Sequence, residues 1–266
     1  MLAIHKLLQL GGGAGGGGGG NGSSAGSAAS SAMTLRGLGY TTNGVYWIDV
    51  PNVGPKQIYC ILDPSYDGGG WMMVMKATRG STFQWSSSYW TSNNTLNVSA
   101  YNTNDGDAKF DTFNHCVADD IMAIWPDLSA NTGCFNSSRG KIWLQNNFNN
   151  QNISLRQFFQ NDTEQFIQDA NNFCGISQFS RQVDVRFYGF NYRAAGNLGT
   201  RSRWGFGWNE NGGGLWPNAN ETSNDVHGGI GMVHRNGANY SAGDYIGCCQ
   251  SVSGFNRTAR VEMYIR

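Results

Sequence analysis

The chain has 266 residues, enough for one domain of about 200 residues with an appendage. Eighteen basic and eighteen acidic residues give a formal net charge of zero, which argues against a nucleic-acid or anionic-membrane partner held by bulk electrostatics. Charged residues make up only 14% and aromatics 13%. With its polarity supplied by Asn, Ser, Thr, Gln and Gly, the chain suits a loop-rich extracellular or virion-surface protein better than a cytosolic enzyme.

Residues 1–10 form a short apolar peptide in which Leu2, Ile4, Leu7, Leu8 and Leu10 could coat one side of a helix. It is too short to span a bilayer, and His5 and Lys6 interrupt it as a signal peptide. Residues 11–35 are mostly Gly, Ser and Ala, which by composition is a flexible linker. The expectation is an anchor that orders when docked on a virion protein; a disordered tail is the alternative.

Residues 36–266 read as one globular unit without internal repeats. Strands are predicted over 44–50, 57–62 and 71–77, the last entered through Asp67-Gly68-Gly69-Gly70-Trp71. Three glycines between an acid and a large aromatic call for positive φ and a close backbone approach, after which Trp71 drops into a core. Further strands are predicted at 141–144, 183–190 and 259–265. Helices are predicted at 154–160, opened by the N-cap Ser154, and at 162–172. Residues 190–257, rich in Gly, Asn and Trp with little periodicity, read as long structured loops, which in a compact domain are commonly functional.

The six cysteines are Cys60, Cys116, Cys134, Cys174, Cys248 and Cys249. Three bridges in an oxidising place and reduced thiols both fit. No C-x-x-C pair supports a zinc ribbon. The alternating oxygens of Asn102, Asn104, Asp105 and Asp107 look like a calcium loop but lack the EF-hand spacing, so a polar turn is the preferred reading. The sequons at Asn97 and Asn256 are expected by chance in a chain of this composition. Nothing around His115–Cys116 or Cys248 would activate a thiol, so no enzyme is expected.

The order of strand, turn, Cys-bearing strand, D-G-G-G-W and strand resembles the entry of a fibrinogen-like domain. That resemblance implies an α+β fold with a short central antiparallel sheet, few helices and a loop-rich C-terminal subdomain that binds calcium and ligand. Asn224-Asp225-Val226-His227-Gly228-Gly229-Ile230-Gly231 and Gly243-Asp244 are similar to the calcium segments of intelectin (X-type) lectins. The likeness implies Ca²⁺ held by Glu210, Asn224, Asp225, His227 and Asp244, accepting sugar hydroxyls. Val226 separates acid from His, and no clear acid falls between His227 and Asp244, so one family ligand lacks a counterpart. The family's early disulfide also lacks its second cysteine, since none falls between Cys60 and Cys116. Trp204, Trp208, Trp216 and His227 are the candidate ligand contacts, with one of the three tryptophans expected to be exposed.

The function expected is a calcium-assisted glycan-binding, receptor-recognition module displayed on a virion fibre, spike or tail, with a homotrimer as the expected assembly. A virion decoration protein without sugar binding and a secreted lectin-like defence or adhesion protein are the alternatives.

Overall fold

The structure, a computed structural model, describes residues 19–128, 139–147, 151–167, 185–193, 201–208, 226–233, 239–247 and 257–266. It is mainly β with few helices, and its strands form two antiparallel sheets.

The first sheet begins with the hairpin of β1 (Gly44–Val50) and β2 (Gly54–Ile61). Asn52 and Gly54 take positive φ at its turn, the conformation a tight hairpin requires. β3 (Trp71–Ala77) follows through the glycine turn. Asp67, Gly68, Gly69 and Gly70 all have positive φ (49°, 87°, 76° and 87°). Trp71 is fully buried and its Nε1–H donates to the Tyr66 carbonyl at 2.7 Å. A Cβ on Gly69 would lie 2.6 Å from the Leu62 carbonyl oxygen, and one on Gly70 would lie 2.1 Å from Met33 Sδ. The glycines therefore serve both conformation and approach.

Beyond β3 the sheet continues with β13 (Val261–Ile265), then β5 (Ile121–Trp125) and β6 (Lys141–Gln145), while β4 (Ala108–Lys109) pairs with the other part of β3. The last strand of the chain thus lies in the middle of the sheet. β3, β5 and β13 are buried at every residue, which explains their nearly unbroken apolar runs. The terminal Arg266 closes the arrangement. Its guanidinium sits 4.2 Å over Trp71, pairs with Asp67 at 2.6 Å and Asp120 at 2.8 Å, and donates to the Asp67 carbonyl.

The segment expected to be a linker reaches into this fold. Gly22 accepts from Trp47 N–H, Ala29 bridges Ile48, and α1 (Ala32–Gly37), capped by Ser31, buries Ala32 and Leu35. Small residues suit close approach as well as flexibility, so the linker boundary at 35 is replaced by packed structure from residue 19 onward. Residues 1–18, including the apolar peptide, lie outside the described residues.

Two short helices cover the sheet: α2 (Asp111–His115) and α3 (Leu155–Gln160). α3 has a full capping box, with Ser154 accepting from Gln157 N–H and the Gln157 side chain reaching back to Ser154 N–H. The helix expected at 162–172 does not form over its described part. Gln165–Phe166 is instead β7, paired with β8 (Val185–Arg193). Gly189 makes this pairing feasible, since a Cβ there would be 1.9 Å from the Gln165 carbonyl oxygen.

The second sheet corrects the loop assignment for the described part of 190–257; residues 194–200, 209–225, 234–238 and 248–256 lie outside the described residues. Its order is β12 (Arg257–Thr258), β11 (Asn239–Gly247), β10 (Val226–Val233), β9 (Arg201–Trp208), β8 and β7. Gly189, Gly205, Gly229 and Gly243 stand opposite one another across four strands. A Cβ on Gly229 would meet the Trp204 carbonyl oxygen at 2.3 Å, and one on Gly205 the Gly228 carbonyl oxygen at 2.3 Å. Glycines that mimic a loop in the sequence here permit tight strand packing.

The sheets share one core. Aromatic contacts run from Phe83 through Trp90, Phe159, Phe158 and Phe190 to Trp204, Trp143 and Trp125, with neighbouring centroids 4.7–6.5 Å apart. Cys60 and Cys116 are buried free thiols; the other four cysteines lie outside the described residues. Burial pushes both thiols up, Cys116 to about 12, so neither is a poised nucleophile.

The turn yields a contrast. Gly68→Ala introduces only an unfavourable φ, because its Cβ would meet nothing nearer than Arg266 Nη1 at 3.8 Å, and should cost about 1–2 kcal/mol. Gly69→Ala adds a backbone clash and should cost at least about 1 kcal/mol more. Urea unfolding of the two variants checks the order.

Candidate functional site

The strands of the second sheet carry the backbones of three predicted site residues, Trp208, His227 and Asp244, to one end. Val226 pairs with Trp208 on one side and Gly247 on the other, and His227 pairs with Gly207 and Ile246. Between His227 and Gly229 the β10–β11 register shifts, so that Asp244 and Tyr245 oppose Gly228. This is a bulge, a device that bends a strand and re-aims its residues. Trp208, His227 and Asp244 therefore stand on three neighbouring strands at the same end. Glu210 follows β9 by two positions in sequence, and Asn224 and Asp225 immediately precede β10. Those three and Trp216 lie outside the described residues, as do the side chains of Trp208, His227 and Asp244.

Trp204 does not belong to the site. It is fully buried, stacked on Phe190 at 5.5 Å and edge-on to Trp143 at 5.6 Å, and its Nε1–H donates to Tyr188 Oη at 3.1 Å. A strand residue whose neighbours are glycines has room for a large ring on the core side, so Trp204 packs the sheets together.

The opposite end of the sheet is closed by arginines gathered on Trp85. Arg203 lies 4.0 Å over the indole, donates to the Trp85 carbonyl, and reaches Asp162 and Asn191, each at 2.9 Å. Arg193 also pairs with Asp162 and lies 5.5 Å from the same ring. Desolvation depresses Arg203 from its usual range while Asp162 opposes that fall. This clamp leaves the Trp208–His227–Asp244 end as the one where the predicted ligands meet.

The loop at 102–107 is occupied by the protein itself. Lys76 Nζ donates to the Asn102 carbonyl (3.0 Å), Asn102 Oδ1 (3.1 Å) and the Asn104 carbonyl (2.9 Å). Asp105 is paired with Arg79 at 2.6 Å and Arg260 at 3.3 Å, and Asp107 accepts from Thr78 N–H and Thr82 Oγ1. An ammonium fills the place of a cation, so this donor set does not fit calcium. Among the described residues no group of three or more His, Cys, Asp or Glu could hold a metal.

Lys109 repeats the device. Its Nζ donates to the carbonyls of Ser92 (2.8 Å) and Asn94 (2.9 Å) and lies 4.8 Å over the Phe113 ring. Neither lysine's role was visible in advance; the signal was a lone Lys at the end of each apolar stretch, Met72–Lys76 and Ala108–Lys109.

No family model and no curated protein matches this chain.

Burial pulls Lys109 down from 10.5 to about 7. The unfolded chain keeps that proton across pH 7–10 while the folded chain has released it, so Lys109 makes stability rise with pH, and the net rise should be seen between about pH 7 and pH 8. Lys76, lowered by the same cause, adds in the same direction. From about pH 9 the raised Cys60 and Cys116 oppose this trend, and above pH 10 the raised Tyr188 and Tyr264 reinforce the reversal, because in each case the unfolded chain ionises first. Lys109→Met should reduce the slope between pH 7 and 10 and lower stability by about 1–3 kcal/mol through the two orphaned carbonyls. Denaturant titrations at pH 7, 8 and 9 read both effects.

Proposed function

We propose that this protein is a calcium-assisted glycan-binding module on a fibrinogen-like scaffold, carried as a receptor-recognition tip on a virion fibre, spike or tail. The observation that carries the reading is the backbone register that gathers Trp208, His227 and Asp244 on β9, β10 and β11. Glu210, Asn224 and Asp225 stand within two positions of the same strand ends in sequence.

The donor set suits the ion. Calcium takes six to eight ligands, mostly carboxylate, amide and carbonyl oxygens, and four of these five residues offer oxygen. Bound Ca²⁺ would supply open coordination positions for vicinal sugar hydroxyls, while Trp208 would offer an apolar face. The bulge at Gly228 supports the reading because such features recur beside binding sites. The arginine clamp on Trp85 supports it by fixing the sheet from its other end. A single sugar site is weak, so the module works in multiple copies, and the 1–10 peptide would attach it to the particle.

A glycan array with and without EDTA tests this. Binding should be calcium-dependent, and Asp225→Asn or Asp244→Asn should weaken it at least tenfold, equivalent to about 1.4 kcal/mol. A folded protein that retains no glycan points to a decoration role, and binding indifferent to EDTA and to both variants removes calcium from the account.

A further inference from the structure

A cavity of about 310 Å³ lies between the β1–β2 hairpin and the 98–111 segment, on the first sheet and with no lining residue from β7–β12. Small-molecule sites begin at about this size. Trp47 and Tyr101 line it, both partly buried, together with Lys56, Gln57, Ser99 and Asp111. Ile58 and Phe110, each 2% exposed, contribute apolar surface beneath.

The polar tips here are unspent. The Trp47 indole N–H, the Gln57 amide, the Ser99 hydroxyl and the Tyr101 hydroxyl have no hydrogen-bond partner among the described residues. Lys56 and Asp111 face each other at 4.0 Å, too far for a hydrogen bond. The lining thus carries one positive and one negative group, and a charged ligand would meet a like charge. Aromatic faces beside free donors and acceptors in a hollow of neutral sum match a polyhydroxylated ring, with its C–H face on an indole or phenol and its hydroxyls bridging the tips.

We infer that this cavity is a second carbohydrate subsite, taking one neutral pyranose ring without calcium. The inference rests on the glycan-binding reading for its ligand class, but not on the β9–β11 site. The Lys56–Asp111 pair would open to admit hydroxyls, since at 4.0 Å it makes no hydrogen bond and Lys56 remains partly exposed to solvent.

The test follows the Trp47 indole N–H resonance of the full chain in EDTA during titration with methyl glycosides of glucose, galactose, mannose and N-acetylglucosamine. At least one should give a saturable shift with a Kd on the order of 1 mM, about 4 kcal/mol of binding. Tyr101→Phe should weaken it by about two- to tenfold, the worth of one hydrogen bond. Ser99→Trp, which fills the cavity from an exposed position, should abolish it, and Asp244→Asn should leave it unchanged. No saturable shift with any glycoside, or a shift that survives Ser99→Trp, overturns the inference. EDTA-sensitive array binding in that case leaves the β9–β11 proposal standing, so the two failures are separable.

Discussion

Arg266 holds the end of the chain against its beginning. Its guanidinium covers Trp71 and pairs with Asp67 and Asp120, and this requires β13 to run between β3 and β5. The glycine turn at 67–70 is the other half of the constraint. At Gly69 and Gly70 only a residue without a Cβ can take the positive φ while Leu62 and Met33 press against the backbone. The first sheet therefore cannot be completed until the last residues are in place. Formation of its centre depends on contacts almost 200 residues apart in sequence, a topology that folds slowly.

Burying β3 and β13 on both faces also buries Lys76 and Glu262. Each is compensated. Lys76 is wrapped by the oxygens of the 102–104 turn, and Glu262 accepts from Arg139 and from the Tyr264 hydroxyl at 2.6 Å. Such groups contribute little net stability when paired but cost several kcal/mol when one partner is lost. They tie surface turns to the sheet and fix the segment that frames the Trp47–Tyr101 cavity.

Much of the first sheet was legible because its residues obey local rules. The strands 44–50 and 71–77 coincide with the observed elements, and Ser154 marked the start of α3 as its N-cap, to which the structure adds the reciprocal bond from Gln157. Of the second sheet only β8 was legible, through the alternation that predicted a strand at 183–190. Gly205, Gly207, Gly229 and Gly231 erase the alternation that identifies strands, and they do so because neighbouring strands and side chains occupy the space of a Cβ. Trp204 looked like a binding platform for the same reason: glycine neighbours suggest a loop, whereas here they leave room for a buried indole. β5 was missed because Ile121–Trp125 is apolar throughout, which periodicity cannot assign. Of the cluster predicted on 208–244, the sheet register sets the backbones of Trp208, His227 and Asp244 on neighbouring strands, while Glu210, Trp216, Asn224 and Asp225 lie outside the described residues.

On the proposed reading the scaffold would carry two chemistries on two sheets, one of acids and amides at the β9–β11 strand ends, the other of aromatic rings and polar tips in a cavity. The proposed glycan recognition is tested most directly by a crystal structure of the protein with calcium and a glycan it retains. The account predicts a cation 2.3–2.6 Å from oxygens of Asp225 or Asp244, with sugar hydroxyls completing its shell beside Trp208. Sugar density elsewhere with that strand end bare of any cation, or no sugar density at saturating glycan, would contradict it.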